Sequence, residues 1–205
     1  KINEGVEMVI KPELIIIIST LGFDSLYKTI DSIMKHKENR NIEILVIGKL
    51  KKEMRENLGK NKLIRFFNVH FPEGDLSNKR NLGMKEAKAE IVAHIDDDVV
   101  LTSNWFENGL RHFKREKVGS EKNIGIVSGE NIGIVSGPGK IPRRGSSFLS
   151  GLFGNSLSSL GAGKNVRNRY VGGDKIEIDN EGDKVIGCNM MMKKELVDKV
   201  GGFNP

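Results

Sequence analysis

Glu90-Ile91-Val92-Ala93-His94-Ile95-Asp96-Asp97-Asp98 decides how the rest of the chain is read. Ile91 to Ile95 is apolar apart from His94, which suits a strand buried on both faces of a sheet. The strand runs without a break into three aspartates. Adjacent carboxylates repel one another, so a folded chain that keeps three together needs something to offset the charge. A divalent cation is one answer, since Mg2+ typically takes one or two carboxylates and fills its shell with water and phosphate oxygens. Open α/β sheets bind ligands at the carboxyl ends of their strands, where this triplet falls. Strand alternation would send Asp96 and Asp98 to one side and Asp97 to the other. The competing reading is a solvated acidic turn capping the next helix, because short motifs match by chance often. The strand before the triplet and the helix after it favour the metal site.

Working outward, Leu14-Ile15-Ile16-Ile17-Ile18 is a second buried strand. Asp24 is placed to cap a helix carrying Leu26, Ile30, Ile33 and Met34 at helical spacing. Residues 42–47 and 64–69 read as further strands. Ser77 is expected to cap a helix through Arg80, Met84 and Ala87, and Trp105, Phe106, Leu110 and Phe113 line one face of another. This alternation predicts an α/β fold with a mixed, mainly parallel sheet and helices on both faces. Asn-Ile-Gly-Ile-Val-Ser-Gly occurs twice, at 123–129 and 131–137, and the copy before Pro138 is the better strand candidate. Residues 138–168, rich in Gly, Ser, Lys and Arg, read as a mobile loop. Residues 185–202 read as a short strand followed by a helix with Leu196, Val197 and Val200. One domain over 1–205 accounts for the length.

Lys and Arg number 33 against 27 Asp and Glu, a net charge of +6. That excess favours anionic ligands such as sugar nucleotides, lipid phosphates or a membrane surface. Nucleic acid is disfavoured, because two tyrosines and no basic-aromatic platform offer nothing for bases to stack on. The single cysteine, Cys188, excludes an intrachain disulfide and fits a reducing compartment. No apolar run reaches the roughly 20 residues a bilayer span needs. The expected location is therefore cytoplasmic. The loop residues Lys140, Arg143, Arg144, Lys164, Arg167 and Arg169 leave open a solvated loop, a lid over a diphosphate, or a peripheral contact at the inner face of the membrane. His94 and Trp105 read as core residues, and Cys188 as a small buried one.

The stretch Arg80-Asn81-Leu82-Gly83, a short spacer, and a strand ending in Asp96-Asp97-Asp98 resemble glycosyltransferase family 2 of the GT-A fold, with its Arg-Asn-x-Gly helix and Asp-x-Asp motif. Leu14 to Leu26 resembles the family's first strand and base-binding loop. Ile186-Gly187-Cys188-Asn189-Met190, Lys193-Lys194 and Val200-Gly201-Gly202-Phe203 resemble its acceptor-side segment. The resemblance runs from about Glu13 to Pro205. It implies an inverting transfer of a sugar from a nucleoside-diphosphate donor to the hydroxyl of a glycan or lipid-linked acceptor, with Mg2+ or Mn2+. It gives Asp98 to the metal. It gives Ser19, Thr20, Arg80, Asn81, Asp96 and Asp97 to the nucleotide sugar, with Arg80 at the diphosphate and Asn81 alternatively bracing the Asp loop. It gives Gly187, Cys188 and Asn189 to the acceptor or donor sugar. From the residues alone, Arg80 is as readily an exposed helix cation and Gly187 a turn glycine.

Two departures stand out. The family's second strand often ends in an acidic pair, one member of which reads the base, whereas this one ends Val46-Ile47-Gly48-Lys49. The family's Glu-Asp pair, whose Asp is the usual general base, is expected beyond Pro205. The chain therefore reads as cut short at its C-terminus. Two other functions stay open: a catalytically incomplete sugar-nucleotide-binding module, which the short C-terminus favours, and, ranked below it, a sugar nucleotidyltransferase, whose Gly-rich basic loop Leu21-Gly22-Phe23-Asp24 does not resemble.

Overall fold

A computed structural model describes residues 11–71, 75–113, 133–136, 185 and 187–204. Within these, β1 (Leu14–Thr20), β2 (Ile42–Gly48), β3 (Ile64–Asn68) and β4 (Ile91–Asp96) are parallel neighbours, and β6 (Asn189–Lys193) pairs antiparallel with both β4 and β5 (Ile134–Ser136). The six-stranded order is β3-β2-β1-β4-β6-β5. The sheet is thus mixed and mainly parallel, as the sequence predicts.

β1 lies in the interior of the sheet because its side chains are apolar on both faces. Leu14 to Ile18 are fully buried, and each such side chain contributes roughly 1.5–3 kcal/mol. On one face Ile16 and Ile18 meet Leu26, Ile30 and Ile33 of α1 (Ser25–His36) and Phe106 of α4 (Trp105–Leu110). On the other, Ile15 and Ile17 meet Met84 of α3 (Asp75–Glu86) and Val197 of α5 (Lys194–Val200). Helices therefore cover both faces.

Several boundaries differ from expectation. Asp24 makes no capping hydrogen bond; its carboxylate pairs with Lys51 Nζ at 3.2 Å instead. α3 begins at Asp75, so Ser77 lies inside the helix rather than at its cap. α2 (Lys52–Leu58) buries only Met54, too little apolar spacing to announce a helix. α4 ends at Leu110 and passes into a 3-10 turn at Arg111–Phe113. β5 falls in the repeat copy before Pro138, as anticipated. The first copy and the basic loop at 138–168 lie outside the described residues.

Candidate active site at the end of the parallel strands

Three consecutive residues of α3 reach three different segments. Lys79, 3% exposed, donates from Nζ to the Thr20 carbonyl at 2.8 Å and pairs with Asp75 one turn back. Arg80 donates to the Gly187 carbonyl at 2.8 Å. Asn81 donates to the Phe203 carbonyl at 2.8 Å and accepts from the Phe203 N–H at 2.7 Å. α3 can sit this close to the sheet because Gly83 faces Ile17 and Ile47; a Cβ there would fall 2.6 Å from Ile17 Cγ2. The Arg-Asn-x-Gly stretch is thus a fastening helix as well as a candidate binding element.

The acidic turn sits between the segments that α3 holds. β4 ends at Asp96, and Asp97 and Asp98 occupy the turn beyond it, so strand alternation stops before it can sort the three. The Asp96 N–H donates to the Cys188 carbonyl at 3.2 Å. Its carboxylate lies 4.0 Å from the Arg80 guanidinium, which offsets part of the repulsion among the three acids. Asp97 accepts a hydrogen bond from the Thr20 hydroxyl, which in turn accepts the Gly22 N–H at 2.9 Å. Asp98 is the exposed member. Burial lowers the Arg80 pKa from the usual guanidinium value, against the raising influence of Asp96. A guanidinium starts so high that it stays charged at neutral pH.

The remaining predicted site residues are placed as follows. Ser19 Oγ is enclosed and has no hydrogen-bond partner among the described residues. Asn81 braces Phe203, not the Asp loop. Gly187 lies under Arg80, where a Cβ would come 3.3 Å from Nη2. Cys188 is half-buried rather than buried. Asn189, in register with Ile95, accepts from Trp105 Nε1 at 2.7 Å. That bond was not foreseen; Trp105 is half-buried at the edge of the core, its indole N–H used as a polar handle. His94 is buried, with Nε2 3.4 Å from Met84 Sδ and its ring edge-on to Phe203, and Nδ1 lacks a partner among the described residues. Burial, with Arg80 nearby, pushes its pKa down to about 3. The contacts of Lys79 and Phe203 escape a sequence reading, because a helical lysine normally marks a surface and because Phe203 is more than a hundred residues from Asn81.

Among the described residues no three metal-ligating side chains converge on one point. Mg2+ or Mn2+ at a phosphate site needs only one or two hard carboxylate oxygens, with ligand and water completing the shell. Asp98, exposed, with Asp96 beside it, has the right donor chemistry.

The family model for Glycosyl transferase family 2 matches residues 14–201. The chain belongs to glycosyltransferase family 2. Solved structures agree on the fold. The mannosyltransferase PcManGT from Pyrobaculum calidifontis, in complex with GDP-Man and Mn2+, superposes at a TM-score of 0.57 with 16% identity, covering 96% of this chain and 48% of that one. S. aureus TarS 1-349 gives 0.60 at 11% identity over 94% of this chain and 50% of that one. TarS is also solved with UDP-GlcNAc, matching at 0.55 and 11% identity over 94% of this chain and 48% of that one. The family-2 chain therefore spans about half the length of these neighbours, and at such identities the likeness is one of fold. No curated protein sequence matches it. Among the described residues no helix is long and apolar enough to cross a membrane.

Proposed function

We propose that this chain carries the donor site of a glycosyl transfer, moving a sugar from a nucleoside diphosphate to a hydroxyl of a glycan or lipid-linked acceptor. One observation supports this most: the acidic turn Asp96–Asp98 closes β4 between Thr20 of β1 and Arg80 of α3, in a family-2 fold. Carboxylates, a charged guanidinium and backbone ends at one sheet edge suit a diphosphate carried with a divalent cation. The PcManGT complex with GDP-Man and Mn2+ and the TarS complex with UDP-GlcNAc fit the same ligand class. Family membership favours transfer over sugar-nucleotide synthesis.

In this reading Asp98 would hold Mg2+ or Mn2+, which would supply charge neutralisation where the diphosphate departs, and Asp96 would face the nucleotide. Arg80 adds a fixed positive charge on the same side, worth most where charge develops during bond breaking. The acceptor hydroxyl forms the new bond to the anomeric carbon as the bond to the nucleoside diphosphate breaks; the hydroxyl proton passes to a carboxylate base. Ser19, its hydroxyl enclosed, and Thr20, buried, back the nucleotide end from behind Asp97, and Gly187, Cys188 and Asn189 line the sugar end. The single cysteine and the charge balance fit a cytoplasmic location, at the inner face of the membrane for a lipid-linked acceptor.

Calorimetric titration with UDP and GDP, with and without Mn2+, tests this on the chain itself. Metal-dependent binding of one nucleotide, lost in Asp98→Ala, is the expected result. Equal binding with and without metal, or binding untouched by Asp98→Ala, would remove the turn from the donor site.

A further inference from the structure

A line of contacts runs from the first turn of α3 to the middle of the acidic turn. Asp75 pairs with Lys79, Lys79 donates to the Thr20 carbonyl, and the Thr20 hydroxyl donates to Asp97. Thr20 is 2% exposed and is held on several sides. Lys79 takes its carbonyl, Gly22 donates to its hydroxyl, and Gly48 presses on its peptide: a Cβ on Gly48 would lie 1.9 Å from Thr20 O. Packing alone gives no use for an ammonium at this depth, since desolvating a charge costs several kcal/mol and an apolar side chain of like volume often serves stability as well. Fixing a carbonyl from below is something only a donor achieves.

We propose that Lys79 is a positioning residue of the donor site. It fixes Thr20 so that the Thr20 hydroxyl holds Asp97, and through Asp97 it sets where Asp96 and Asp98 stand. Lys79 itself touches no ligand. The inference rests on the donor-site reading of the acidic turn.

The test is a double-mutant cycle read by Mn2+-dependent titration with UDP and GDP, with thermal melts run in parallel. Lys79→Met, Thr20→Val and Asp97→Ala each lower nucleotide affinity by about tenfold or more, the usual consequence of losing a residue that orients a ligand-holding group. Thr20→Ser, which keeps the hydroxyl, recovers most of what Thr20→Val loses. The Lys79→Met/Asp97→Ala double variant binds no worse than the weaker single, because both act along one line of contacts. Additive losses in the cycle, or a Lys79→Met chain that melts lower yet binds like the unaltered chain, would overturn the proposal. Should Lys79→Met not fold, Asp75→Asn takes its place in the cycle; it releases Lys79 from a more open position, and the same non-additivity is expected. If Asp97→Ala binds normally while Asp98→Ala does not, the line ends on nothing and only this proposal falls. If the unaltered chain binds neither nucleotide, the donor-site reading falls with it.

Discussion

The two flanks of the acidic turn are both fastened to α3 by side chains that bond backbone groups, but only on the β1 flank does a neighbouring strand also press on the peptide that α3 holds. On the β1 flank, the Thr20 peptide is wedged between Lys79 and Gly48, whose φ of +150° and missing Cβ let β2 close on it. On the β6 flank, Arg80 and Asn81 reach out to the Gly187 carbonyl and the Phe203 backbone. The Arg80 guanidinium also lies 5.6 Å over the Phe203 ring. A backbone wedge has no torsion to relax, whereas side-chain tethers give by rotating. The β1 flank is thus preset, and the β6 flank can adjust to what binds beside it.

Gly48→Ala is the harshest way to break that contrast. The new methyl would meet a peptide oxygen at 1.9 Å, in a conformation that side chains rarely adopt. A loss of about 3 kcal/mol is expected, from strain at a special backbone position added to displacement of Thr20. Urea midpoints measure it, and nucleotide affinity should fall with it. A cost under about 0.5 kcal/mol, the ordinary surface value, would mean that the β1 flank is no more rigid than the other.

Asn81→Ala attacks the other flank and should cost less, about 1–2 kcal/mol for two hydrogen bonds at a half-buried site. Asn81→Asp keeps the acceptor for the Phe203 N–H but sets a carboxylate oxygen against the Phe203 carbonyl, so it should cost at least as much as Asn81→Ala. If the flank adjusts as argued, both variants lower the melting temperature more than they lower nucleotide affinity.

His94, wedged against Phe203, gives the flank a pH signature. Its folded pKa of about 3 lies below the ordinary histidine value, so below about pH 6.5 the unfolded chain takes up a proton that the folded chain refuses. Stability therefore falls as pH drops from about 6.5 towards 3, with a slope from this residue near 1.4 kcal/mol per pH unit. His94→Leu should flatten that part of the profile. At pH 7 it should leave stability nearly unchanged or raised, because it also removes a buried Nδ1 with no partner among the described residues. An unchanged acid slope would mean that His94 titrates normally in the fold.

Much of this arrangement was legible in the sequence, for identifiable reasons. The parallel strands are legible because Leu14 to Ile18, and Ile91 to Ile95 apart from His94, are apolar on both faces, which few other contexts allow. Asp96 to Asp98 stood out because like charges seldom cluster without cause. What escaped was any contact whose partners are far apart in the chain. Asn81 reads as a ligand-binding amide until Phe203 is seen on it, and nothing singles out Lys79, because helix periodicity carries no depth for a polar side chain. α2 was invisible because one buried methionine sets no period. Asp24 looked like a cap because its type and place were right, yet Lys51 across the loop competes for its carboxylate.

Gly187→Ala is the mildest probe of the contrast and the one that sharpens it most. The added Cβ would lie 3.3 Å from Arg80 Nη2 and 3.5 Å from Nη1, the far end of a flexible side chain, with no backbone atom in the way. The guanidinium has only to move by a few tenths of an ångström, so the stability change should stay within about 0.5 kcal/mol. That small movement is not silent at the site, since the same guanidinium stands 4.0 Å from Asp96 and donates to the carbonyl of the altered residue. Metal-dependent nucleotide affinity should therefore shift while the urea midpoint hardly does, the reverse of the pattern expected for Asn81→Ala. A Gly187→Ala chain as unstable as Gly48→Ala would show both flanks to be wedged alike, and the tethers from Arg80 and Asn81 to be as inflexible as the backbone contact on Thr20.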